Sequence, residues 1–481
     1  MRARKYFEHV ASWRVVIPLL ALQVTGTNSP AGPGIALTHA SVIDVGRGKA
    51  RDDQTILISG DRVLKVGKTS RVQLPAETTV IDATGKYVIP GLWDMHVHGS
   101  AIPYFSELYI ANGVTGVRDM FTPMDRIQSE RKAIQGGKPG PRIVAAGRIV
   151  DGPKPYWPGS VSAKDAEEGR KAVQTVKEEG SDFVKVYSLL PREAFFAIAK
   201  EAKRLGLAFA GHVPESVSAA EASDAGQRSI EHLTGVLTGC SKSETDLLHT
   251  DQSLPRVQRI AAQIQVQLDT YDEQKAHALF VRFRRNHTWQ CPTLTVLHNI
   301  AWLNEGGLSA DPRLRYLPAE AVGFWDPKRD MRFTNAPASF WVNMQKAERK
   351  CQEVVGKMRA AGVEFLAGTD VLNPYCFPGF SLHDELARLV DAGLTPREAL
   401  QAATLNPARY LQRERDLGSV NSGRFADLVV LDANPLQDIH NTTKIRAVIA
   451  NGLFYDRDSL DKLLSEAETG AKSQAKIEEP P

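Results

Sequence analysis

Between about residues 87 and 415, short apolar runs alternate with helix-like patterns. That alternation constrains the fold more than any other feature, because parallel strands need crossovers long enough to hold a helix, and βαβ units follow. The candidate strands are a buried run of about four to eight residues within Val88–Gly99 that ends in His96 and His98, then Gly116–Asp119, Arg142–Ala146, Phe183–Tyr187, Ala208–His212, Ser229–His232, Thr293–Leu297 and Phe365–Asp370. Eight such strands make a closed (β/α)8 TIM barrel, in the α/β class, the economical prediction. Helix signals support it. Ser162 with Asp165, and Thr395-Pro396-Arg397-Glu398, have the spacing of capping boxes. Phe195, Ile198, Ala199, Ala202 and Leu205 share one helical face, and Gly206 stops that helix.

A chain of 481 residues exceeds one ordinary core. Short β segments fill residues 34–86 and return over 417–460, which predicts a small β-sandwich built from both ends around a barrel at 87–416. Residues 465–481 are polar and read as a solvated helix end running into disorder. At the other end, Arg2, Arg4, Lys5 and Arg14 precede the apolar run Val15–Val24. Residues 1–30 therefore read as a signal peptide or N-terminal extension, the run being too short for a stable membrane span in the mature chain. A secreted or periplasmic protein is expected, with a cytoplasmic one as the alternative. Cys240, Cys291, Cys351 and Cys376 are too scattered for a disulfide framework and are expected as small buried residues. The net charge of +3 makes no field suited to nucleic acid. A small-molecule substrate is the expected partner, and a homo-oligomer is left open.

His96 and His98 stand two apart on a strand, so both rings point to one face and can hold one metal. Taken alone, the pair is equally two alternating polar residues. His212, His232 and Asp370, however, end later candidate strands, and Lys185 lies within the fourth. In a parallel barrel all C-terminal strand ends meet on one face, so these groups converge. An ammonium beside a metal is unfavourable; a lysine with lowered pKa can be neutral and take up carbon dioxide as an anionic carbamate. The other reading of Lys185 is a side chain that reaches solvent or pairs with Asp182 or Glu215. Tyr187, two residues beyond Lys185, is placed to bind substrate or to pack under the next helix. Residues 235–285 and 298–349 are longer than a barrel needs and are expected to form a lid that sets specificity.

Several stretches together resemble the amidohydrolase superfamily, in its imidazolonepropionase-like and prolidase-like branch. They are Pro90–His98, Asp182–Tyr187, Gly211-His212-Val213-Pro214, Ile230-Glu231-His232, Ala367-Gly368-Thr369-Asp370 and Gly423–Leu431, and the resemblance extends over about 34–454. It implies a barrel holding two divalent metal ions, zinc first among several that such ligands accept. His96, His98 and Asp370 would hold the more buried ion and His212 and His232 the other, with carboxylated Lys185 bridging them. It further implies a metal-bridging hydroxide that hydrolyses amide bonds of small substrates such as dipeptides or N-acyl amino acids, with Asp370 as general base and then acid. Glu215, three residues after His212, also fits the mononuclear branch. A cyclic-amide hydrolase or deaminase is thus the second reading, and a non-catalytic scaffold the third.

Overall fold

The computed structural model describes residues 34–250 and 255–473. The expected signal segment at 1–30 lies outside the described residues. The described chain opens with β1 (Ile35–Asp44), β2 (Lys49–Ser59), β3 (Arg62–Lys68), β4 (Thr79–Asp82) and β5 (Tyr87–Pro90). β6 (Leu92–Val97) follows after Gly91 alone. The stretch Val88–Gly99, expected to hold one short strand, is therefore shared by two, and each serves a different sheet. Gly91 stands at the break, where a Cβ would lie 2.0 Å from Thr115 Oγ1.

β6 pairs in parallel with β7 (Val114–Asp119), and β7 with β8 (Arg142–Ala145). A second parallel sheet is built from β9 (Ile149–Asp151), β10 (Val161–Ser162), β11 (Val184–Val186), β12 (Phe209–Gly211), β13 (Ser229–Glu231) and β14 (Trp289–Cys291), in the order β10-β9-β11-β12-β13-β14. Asp182 N donates to Ala145 O at 2.8 Å and joins the two sheets on one side. On the other side residues 365–371 run between β14 and β6, with parallel bridges Gln290–Phe365 and Val97–Val371. Parallel strands joined round in this way give a TIM-barrel-type fold.

Three local expectations are corrected. Thr293–Leu297 is not a strand; β14 precedes it, and Leu294–Ala301 is a helix. The helix start is stabilised from far away, for Glu385 accepts from Leu294 N at 3.0 Å and Thr295 N at 2.8 Å. Periodicity in a local window contains no trace of that cap. Asp165, rather than Ser162, is the N-cap of helix Ala166–Glu178 and accepts from Glu168 N, whereas Thr395 and Glu398 form the expected reciprocal box. Ser465–Ser473, expected to be solvated, ends the helix Arg457–Ser473, which buries Leu460, Leu463, Ala467 and Ala471. The helix Arg192–Leu205 buries Phe195, Ile198, Ala199 and Ala202 and ends at Gly206 in the left-handed conformation, as its pattern predicts.

β15 (Leu428–Leu431), β16 (Ile445–Ala450) and β17 (Leu453–Tyr455) return to the first strands in one sheet, ordered β17-β16-β15-β5-β1-β2-β3 with β4 on β1. The segments 35–90 and 428–455 thus meet in one apolar layer that includes Leu37, Val42, Ile56, Val88, Leu428 and Ile449. Among the described residues, no helix is long and apolar enough to cross a membrane.

Candidate metal centre

Each predicted ligand stands at or just beyond the C-terminal end of a strand: His96 and His98 at β6, His212 after β12, His232 after β13, and Asp370 in the closing segment. Lys185 is the middle residue of β11. The ring centroids of His96 and His98 are 5.4 Å apart, those of His96 and His232 4.5 Å, and those of His212 and His232 5.1 Å. Asp370 Oδ1 lies 3.0 Å from His98 Nε2 and 3.4 Å from His96 Nε2; its Oδ2 is 3.7 Å from His232 Nδ1. Ligand atoms of His96, His232 and Asp370 fall within 4.8 Å of one another. His232 and Asp370 hold φ near +57° and +61°, a conformation that costs non-glycine residues energy and is concentrated at functional sites.

Electrostatics favour metal-binding forms. Burial, then the charge of Lys185, holds His96 and His212 well below the usual histidine range, and burial also lowers His232. Neutral imidazoles can donate lone pairs. Burial alone would raise Asp370, but His232 and His98 outweigh it and keep the carboxyl ionised. Burial is likewise the main cause that brings Lys185 down to about 8, so a fraction of its amine is free near neutral pH. His96 Nε2, His98 Nδ1 and Asp370 Oδ1 are buried without a hydrogen-bond partner. Buried polar atoms are rarely left so, and this donor set of imidazoles and a carboxylate fits a divalent metal.

Supporting residues that the sequence did not single out hold the ligands. Fully buried Glu231 accepts from His96 Nδ1 at 2.8 Å, which turns Nε2 toward the cluster. Arg118, equally buried, gives both Nη2 contacts to Glu231 at 2.9 Å, Nη1 to Ser229 and Tyr410, and Nε to Met95 O. Thr293 Oγ1 lies 2.7 Å from His232 Nδ1, and Ser188 Oγ 2.8 Å from His212 Nδ1. Asp94 accepts from Thr369 Oγ1 at 2.6 Å, and from Thr369 N and His96 N, fastening β6 to the closing segment. The only sequence signals for these were the adjacency of Glu231 to His232 and the placing of Asp94 in the His96 strand.

Tyr187 flanks the cluster. Its ring stacks on His212 at 4.0 Å, and its hydroxyl accepts from Trp157 Nε1 at 2.8 Å. Glu215 is tied to Arg259 at 2.6 Å, and the pairings proposed for Lys185 with Asp182 or Glu215 do not form: Asp182 pairs with Arg131. The long stretches carry helices and an aromatic cluster of Phe333, Phe340 and Trp341.

A model of the amidohydrolase family matches residues 87–454. An adenine deaminase 2 of Agrobacterium fabrum is 43% identical over 88 residues, which are 18% of this chain and 15% of that protein. The chain therefore spans less than a fifth of the length of that relative. An imidazolonepropionase of Deinococcus deserti is 26% identical over 403 residues, covering 81% of this chain and 88% of that one. Among solved structures, a putative prolidase from Bifidobacterium longum superposes with a TM-score of 0.67 at 24% identity, covering 91% of this chain and 100% of that chain.

Proposed function

This chain belongs to the amidohydrolase family, and from that premise we propose that it hydrolyses amide bonds of small substrates such as dipeptides or N-acyl amino acids. It is a hydrolase acting on carbon–nitrogen bonds. The observation that carries the finer reading is the set of buried polar atoms without a hydrogen-bond partner, His96 Nε2, His98 Nδ1 and Asp370 Oδ1, beside a lysine brought to about 8. In this proposal His96, His98 and Asp370 hold one divalent ion and His212 and His232 a second. Lys185, as its carbamate, would be a further anionic ligand for these ions. Zinc is the first candidate for both. When bound, such ions lower the pKa of water and polarise a carbonyl.

The residues do the rest. Asp370, held ionised, accepts a proton from the attacking water and delivers it to the leaving nitrogen. Tyr187 contacts substrate through its ring or hydroxyl, since it lies against His212. The single-metal deaminase alternative needs Glu215 as a proton carrier, and the ion pair with Arg259 opposes that role. The eight-stranded sheet built from both segments is read as the expected β-sandwich beside the barrel, and export from the cytoplasm is part of the same proposal.

Elemental analysis of protein purified without chelator, with a peptide mass search for carbon dioxide on Lys185, tests the site. Two metals per chain and a carbamate are expected. One metal and an unmodified lysine would refute the bridged site. Lys185→Ala is expected to remove most activity and to weaken retention of the second metal; two metals with near-normal turnover in that variant would refute it equally.

A further inference from the structure

A file of aromatic rings leads away from the ligand cluster. Tyr187 stacks on His212 at 4.0 Å and 27°, and Tyr156 lies beyond it at 6.4 Å and 30°. Trp157 meets Tyr156 edge-on at 5.1 Å and donates to the Tyr187 hydroxyl. The file is fixed from below. Asp151, fully buried at the end of β9, accepts from Tyr156 N at 2.9 Å and from Leu189 N at 2.8 Å, which ties the two rim loops together.

Two guanidinium groups from the long stretches reach this rim, and their charges differ in availability. Arg332 lies 5.9 Å from the Trp157 ring, but its Nε and Nη2 are already bidentate on Asp330 and its Nη1 donates to Asn373. Arg256 sits 4.2 Å over the Tyr156 ring. Among the described residues no carboxylate pairs with it, and its Nε is buried with no acceptor. Its neighbour Arg259, by contrast, is neutralised by Glu215 at 2.6 Å. The Tyr156 ring that it covers lies 6.4 Å from that of Tyr187, which stacks on His212, so Arg256 stands at the rim of the ligand cluster. A planar fork with an unused buried donor, at the end of a ring-lined path, suits a carboxylate.

Resting on the amide-hydrolase reading, we propose that Arg256 is a specificity residue that receives a carboxylate of the substrate, so that preferred substrates carry a free carboxylate near the scissile amide. Tyr156 and Tyr187 line the space between that carboxylate and the ligand cluster, which favours an apolar or planar side chain there. The long stretch that bears Arg256 thereby sets which amides are cut, while the strand ends set how.

The test uses two matched panels, N-acyl amino acids and their N-methylcarboxamides, on wild type, Arg256→Gln and Arg256→Lys. Wild type is expected to prefer the carboxylates by roughly 10- to 100-fold in kcat/KM, the range for a hydrogen bond to a charged group. Arg256→Gln is expected to lose that preference, mainly through KM, with carboxamide turnover unchanged and an unaltered thermal transition; Arg256→Lys restores part of it. An equal preference in Arg256→Gln, or none in wild type, would overturn the assignment. If neither panel is cleaved, the amide-hydrolase reading fails on its own. Arg256 is then judged by calorimetric binding of N-acetylglycine against its N-methylcarboxamide, and a carboxylate preference that survives Arg256→Gln overturns the proposal.

Discussion

Glu231→Gln is the most informative single change outside the ligands. In the native site the Glu231 carboxylate takes both Nη2 contacts of Arg118 at 2.9 Å and the Nδ1 contact of His96 at 2.8 Å, with neither Glu231 nor Arg118 exposed to solvent. The amide keeps the shape but removes the charge, and one of its hydrogens must face a donor. Removing one partner of a buried ion pair leaves the other charge uncompensated, a loss of about 3–5 kcal/mol. Loss of the carboxylate behind His96 is expected to weaken metal binding by roughly 10- to 100-fold, the usual effect of removing such a support. The two losses separate in the double variant Arg118→Met/Glu231→Gln. With no stranded charge, stability is expected to recover by about 2–3 kcal/mol relative to the sum of the single changes, while metal affinity stays low. Urea unfolding of metal-free protein gives the first quantity and competition with a chromophoric chelator gives the second. Wild-type stability together with wild-type affinity in Glu231→Gln would refute the claim that this buried pair supports the site.

Asp370→Asn is expected to leave the fold intact and to cut turnover by on the order of 10²-fold or more, as for a positioned acid–base group; unchanged rates in steady-state kinetics would remove Asp370 from proton transfer. Lys185 titrates near 8 in the folded protein, below its ordinary value of 10.5, so the unfolded chain binds more protons between those limits. Stability of the metal-free protein is therefore expected to rise with pH across that window, by about 3 kcal/mol in full, and Lys185→Met is expected to flatten the slope in urea unfolding. An identical slope in both proteins would count against a buried, neutralised amine. At Gly368 a Cβ would meet Cys291 Sγ at 2.6 Å and His96 Cβ at 2.8 Å. Gly368→Ala is expected to cost about 1–3 kcal/mol and to push the closing segment off His96, read as weaker metal retention; wild-type retention would show that the site tolerates that shift.

The alternation of apolar runs and helical patterns was enough to predict a TIM-barrel-type fold, because strand and helix periods are local properties of the chain. The convergence of His96, His98, Lys185, His212, His232 and Asp370 was also legible, since parallel strands must bring their C-terminal ends to one face. Other features depend on partners remote in sequence. Thr293–Leu297 has the β-branched texture of a strand, yet Leu294 and Thr295 start a helix because Glu385, some 90 positions on, accepts their N–H groups. Ala467 and Ala471 looked like part of a polar tail and are buried.

The sequence by itself thus determined the kind of fold and which side chains gather at one end of the parallel strands, through short-range periodicity and the geometry of parallel strands. Only the tertiary structure decided the rest. It set Arg118 and Glu231 behind His96, neutralised Arg259 with Glu215, and left Arg256 beside Tyr156 with no carboxylate partner among the described residues. The physical reason is that desolvation and charge pairing are set by distance in space. Two arginines three residues apart on one helix are alike in sequence, and only the packing around them places Arg259 on Glu215 and Arg256 over the Tyr156 ring.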